Sequence, residues 1–167
     1  QDANALRQRV AAFQARRNQE TRQAGRPEGL AAAIRGEAWQ EALRDVVMLM
    51  AEEDEAAIRR YPIVLATLRQ AQDRVPQVLQ TLLSDAYLTH RSTAVRRVAA
   101  ALAADLATSR TAPRALVASR FLERMGQEME PDIVDRLAGA LMQVGRTEEL
   151  AVAILARAGY TVIAASG

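Results

Sequence analysis

Apolar side chains recur every three or four positions through most of the chain, the spacing that gathers them on one side of an α-helix. From Trp39 to Met50 the members are Trp39, Leu43, Val46, Val47 and Met50, with Glu41, Arg44 and Asp45 opposite. A stripe of this width faces a core. Val78, Leu79, Leu82, Leu83, Ala86 and Tyr87 cover about half the circumference of a helix over 76–89, more than one neighbour could cover, so this helix is expected to be the most enclosed. Val95, Val98, Ala99, Leu102 and Leu106 form the next stripe. The alanines around it (Ala99, Ala100, Ala101, Ala103, Ala104) leave little side chain to hold a neighbouring helix away. Ile133, Leu137, Leu141 and Val144 line another face, and Leu150, Ile154, Leu155 and Ala158 the last.

Proline and glycine punctuate these runs. Pro27, Pro76, Pro113 and Pro131 each precede a periodic stretch, where the first helical turn has no use for the missing N–H. Pro62 can start another in the same way. Gly25, Gly126, Gly145 and Gly159 each follow such a stretch, where a left-handed terminating residue costs glycine little. Together the signals predict helices over 3–23, 28–35, 37–52, 54–60, 62–73, 76–89, 93–108, 112–125, 131–144 and 147–158. No convincing strand alternation occurs before Tyr160. The fold class is therefore all-α. Short connections should make consecutive helices neighbours, giving an irregular multi-helix bundle of antiparallel hairpins, with a short α-solenoid as the alternative. Three parts are expected: a basic amphipathic arm over 1–26, a helical domain over 27–159, and an apolar tail over 160–167 whose Thr161, Val162 and Ile163 break the helical rule.

Composition narrows the chemistry. There is no cysteine and one histidine in 167 residues. That removes thiol nucleophiles, iron–sulfur ligation, zinc sites built on Cys and two-histidine mechanisms. All 22 basic residues are Arg, Ala supplies 35 positions and Asn two. A GC-rich genome of bacterial type explains the pattern. Selection against lysine is the rival explanation, but it would leave Phe, Tyr and Asn untouched. A net charge of +2 implies neither a nucleic acid nor a membrane. No apolar run is long enough to span a bilayer. The chain opens on Gln1 without the order of a signal peptide. A cytoplasmic location is favoured, with export after removal of a leader as the alternative.

Candidate sites are few. Residues 1–26 hold six Arg against Asp2 and Glu20, while the remainder is slightly acidic. Within the arm, Leu6, Val10 and Phe13 form a two-turn apolar stripe that Arg17 interrupts, with Arg9 and Arg16 along its border. Such a helix can dock on a partner, an anionic surface or a phosphate backbone. The stripe is too short for strong membrane insertion, which favours a partner helix. The acidic run Glu52-Glu53-Asp54-Glu55 lacks the spacing and central Gly of a calcium loop, and acids at a helix start need no metal. His90 reads as a helix-end residue suited to the carboxyl end of the dipole, and Arg96-Arg97 as a solvated pair. Trp39, Met48 and Met50 could line an apolar ligand pocket, or simply fill a core.

The segment from Ala103 to Leu116 is similar in outline to a DNA-binding helix-turn-helix: an Ala-rich helix, a Ser-containing turn, then a basic helix closed by Leu116 and Leu122. The resemblance implies that Arg110, Arg114 and Arg120 reach phosphates or guanine edges. It departs from the pattern at Pro113, at Ala107 in place of the turn glycine, and in lacking a wing after Gly126. No phosphate-binding Gly loop, zinc-protease helix or nucleophile elbow is present. The expectation is a non-catalytic module without cofactor or metal. Its partner is another protein or a second copy, a nucleic acid being the less favoured alternative. The residues that would carry the contact are Leu6, Val10, Phe13, Arg9, Arg16 and Arg17.

Overall fold

A computed structural model describes the backbone of residues 2–24 and 27–159, with side chains over 2–14 and 29–159. Gly25, Arg26 and the apolar tail over 160–167 lie outside the described residues. The fold is all-α: nine helices and no strand occur among the described residues. They are α1 (Asp2–Ala24), α2 (Pro27–Arg35), α3 (Trp39–Met50), α4 (Glu55–Gln70), α5 (Val75–Leu82), α6 (Thr93–Leu106), α7 (Arg114–Met125), α8 (Pro131–Gln143) and α9 (Thr147–Arg157). The chain divides into two compact units, Gln1–Ala71 and Gln72–Gly167. Nothing in the pattern of Pro, Gly and charge marks that boundary.

In the first unit α2 packs on α3 and α4, and α1 runs beside α2 and α3. The core is made chiefly by Leu30 and Ile34 of α2, Leu43, Val46, Val47 and Met50 of α3, and Ala57, Val64 and Leu68 of α4. The α3 stripe is thus the expected one, except that Trp39 is only half-buried. The acidic run serves as a helix start. The Asp54 carboxylate accepts from the Ala57 N–H at 2.7 Å and so caps α4, satisfying one of the donors a helix start leaves open. Two helices were expected on either side of Pro62, but α4 is continuous through it. Pro62 and Ile58, one turn apart, are both exposed, so the carbonyl that the missing N–H leaves unbonded lies on the solvent side of the helix.

In the second unit helices pack on next-nearest as well as nearest neighbours. α6 lies on α8 and α5, and α7 on α5, α8 and α9. Two ion pairs join α6 to α8, Arg97 to Asp132 and Asp105 to Arg136. Residue numbers rise together along both helices, so the two run parallel. The expectation that sequence neighbours always pair fails at α6 and α7, which share little contact. The reason lies in α6 itself, whose buried Ala99, Ala100, Ala103 and Ala104 around Leu102 and Leu106 let two other helices approach.

α5 stops at Leu82, well short of the expected residue 89. Thr81 and Ser84 hydroxyls bond back to the carbonyls of Gln77 and Thr81, a use of the backbone that competes with continued helix. Tyr87 and Leu88 are still buried, but from turns, and Ala86 is exposed. α6, with seven buried residues, rivals α5 as the most enclosed helix.

Gly145 has φ +79°, and the N–H groups of Gly145 and Arg146 bond to the carbonyls of Met142 and Leu141, the doubled bonding of a left-handed helix stop. Gly126 differs from expectation, closing α7 in right-handed geometry. In α9 only Leu150 is buried, while Ile154, Leu155 and Ala158 of the expected face are exposed. α9 is the last described helix of its unit and packs mainly on α7 and α8.

Candidate functional site

α1 is 23 residues long and presents every described side chain, over 2–14, to solvent. At 100° per residue Leu6, Val10 and Phe13 fall within one narrow arc, with Arg9 on one border and Arg7 on the other. The three apolar side chains are 61, 48 and 66% exposed. Large apolar groups at helical spacing ordinarily seek cover, and here they have little. The side chains of Arg16 and Arg17 lie outside the described residues.

The charged groups that do converge are elsewhere, and the apolar faces read from the sequence gave no hint of them. The Glu128 side chain, in the connection between α7 and α8, is fully buried. Its Oε2 accepts from Arg96 Nε at 3.1 Å and from Arg124 Nε and Nη2 at 3.2 and 3.0 Å. Its Oε1 accepts from Arg96 Nη2 at 3.3 Å and from the backbone N–H groups of Met129 and Glu130 at 3.1 and 3.2 Å. Burial acts to raise the Glu128 pKa. Hydrogen bonds from Arg96, the Glu130 N–H and Arg124 outweigh it and hold the carboxyl below its ordinary value. With both oxygens fully engaged by protein donors, the carboxylate is a structural tie between α6, α7 and the start of α8, with no capacity left to act as a general base. Arg96 also donates to the carbonyls of His90 and Arg91, so it is not the solvated residue its polar position suggested. Arg97 bonds to Asp132 at 2.6 Å, and that hydrogen bond lowers the Asp132 pKa. One local signal was legible: Arg124 and Glu128 stand four residues apart. The partnership of Arg96 with Glu128 spans 32 residues and had none.

Of the arginines proposed for nucleic acid, Arg110 and Arg114 are exposed. Arg120 instead donates to the Leu83 carbonyl at 3.0 and 2.8 Å and pairs with Asp85 and Glu123. It thereby closes the carboxyl end of α5, where carbonyls lack helical partners and a cation is favoured. Arg157 repeats the device one step on, donating to the Met125 carbonyl at the end of α7 at 2.6 Å. A helix-turn-helix needs its two helices packed on each other. α6 and α7 share little contact, and in the connection 107–113 between them the Thr111 hydroxyl bonds to the Gln72 carbonyl.

The remaining candidates have structural surroundings. His90 follows a run of turns and precedes α6. Its Nδ1 accepts from the N–H of Ser92, the N-cap of α6, so it orders a helix start and closes no carboxyl end. Met50 is core, and Trp39 and Met48 of the same helix are half-buried. An open depression of about 620 Å³ lies where Arg114 meets the turn Val144–Glu149. Its walls mix two arginines with two glutamates, and Arg146 and Glu149 pair at 3.0 Å, so it favours no sign of ligand charge. No described helix is long and apolar enough to cross a membrane. Comparison with protein-family models, curated proteins and solved structures finds no match.

Proposed function

We propose that this chain is a non-catalytic helical module that binds another protein through the outer face of α1. The observation that carries the reading is the exposure of Leu6, Val10 and Phe13 along one arc of a long helix. The spacing of the three, i, i+4 and i+7, matches the anchors of a helix that lays its apolar face in a partner's groove. Within the second unit, helices are tied by buried ion pairs. Its most elaborate polar cluster is saturated by its own donors and acceptors, which argues for a load carrier over a reaction centre.

The test replaces Leu6, Val10 and Phe13 together by Asp. Circular dichroism should show the helical content retained, because none of the three is a core residue. Proteins retained by the immobilised wild-type chain from native lysate should be lost with the triple variant. Unchanged retention, together with unchanged mass by light scattering, removes α1 from the reading.

A further inference from the structure

The borders of the α1 arc say what kind of surface it fits. Arg7 and Arg9 are exposed on either side of Leu6, Val10 and Phe13. Asp2 is the single acid among residues 2–14, and the whole segment 1–26 carries a net charge of +4. A second α1 laid against the first would bring arginines toward arginines along both borders of the apolar seam. Like charges facing each other across a seam are a device against pairing. A phosphate backbone would engage the arginines and leave the apolar arc in water. A bilayer wants a longer apolar face than two turns supply.

We infer that the occupant of this face is an amphipathic helix or groove of a different protein, apolar at its centre and rimmed by carboxylates. The inference rests on the proposed function and adds the partner's chemistry. The apolar centre supplies contact area. The rim sets which partners are accepted and how fast they arrive, and it makes the association salt-sensitive.

Two synthetic helical peptides with the same Leu seam, one flanked by Glu and one by Lys, test it on the full chain by fluorescence anisotropy. The Glu peptide should bind about tenfold tighter than the Lys peptide at low salt, with the difference shrinking as salt rises. R7E/R9E should reverse the preference. Equal affinities, or a preference that R7E/R9E leaves in place, overturn the inference. So does tighter binding of the unaltered chain to vesicles of phosphatidylserine or to duplex DNA, or a dimer that the Asp triple variant dissolves. If the triple variant weakens both peptides alike and R7E/R9E changes nothing, only the acidic partner is refuted. If the triple variant changes no binding at all, the proposed function fails with it.

Discussion

α1 and α6 are both built largely of Ala and Arg, yet they meet opposite fates. α1 leaves every described side chain in water, whereas α6 buries seven of its fourteen residues and draws Arg96 and Arg97 into ion pairs. The difference begins in how far each apolar stripe runs. In α6 it continues from Val95 through Ala99 and Leu102 to Leu106, with small neighbours that admit two partner helices. In α1 it lasts from Leu6 to Phe13, and Arg17 occupies the next turn. A stripe that ends after two turns can anchor a transient contact but cannot hold a core. The arginines follow the packing. Beside a covered face they find carboxylates and helix-end carbonyls, while Arg7 and Arg9, beside an uncovered one, stay exposed.

The contrast breaks most sharply at Glu128. Replacing it with Ala strands two largely buried guanidinium groups, and a loss of about 3–5 kcal/mol is expected in urea unfolding. A smaller loss, under about 1 kcal/mol, would mean that water replaces the carboxylate easily and the tie is weak. Leu102→Ala in α6 should cost about 2–5 kcal/mol by the same measurement, for lost burial and the cavity left behind.

Acid provides a gentler probe. The Glu128 and Asp132 carboxyls titrate below their ordinary values of 4.5 and 3.8, so the folded chain binds fewer protons than the unfolded one as pH falls toward them. Their stabilisation is fully present above those ordinary values and is lost as pH drops through the folded ones. The urea midpoint should therefore lose this contribution only below pH 4.5. Glu128→Gln should flatten much of that acid limb, leaving the weaker contribution of the half-exposed Arg97–Asp132 pair. Phe13→Ala marks the other extreme: a change within about 0.5 kcal/mol is expected, because the ring is two-thirds exposed. A loss comparable to that of Leu102→Ala would show that α1 is covered in solution and would remove the difference between the two helices.

Much of the secondary structure was legible one residue at a time. Pro131 and Gly145 bracket α8 as their backbone chemistry requires, and the α3 stripe buries every side chain its spacing selects except the half-buried Trp39. Pro62 misled, because whether a proline breaks a helix depends on which side of the helix faces water. Residues 83–89 misled for a related reason: their apolar pattern reports burial, and Tyr87 and Leu88 are buried from turns. The α1 stripe was readable because its members are close in sequence. Glu128 was not, since its partner on α6 is distant in the chain and arginine looks the same on paper whether solvated or tied.

The amino-acid order alone determined that this chain is helical, where most helices begin and stop, and that thiol and two-histidine chemistry are closed to it. These follow from backbone geometry and from which functional groups exist, both local properties. Only the tertiary structure decided which apolar faces are covered and which arginines are held. It did so by pairing α6 with α8 in place of α7, because cover and charge pairing depend on what arrives from elsewhere in the chain.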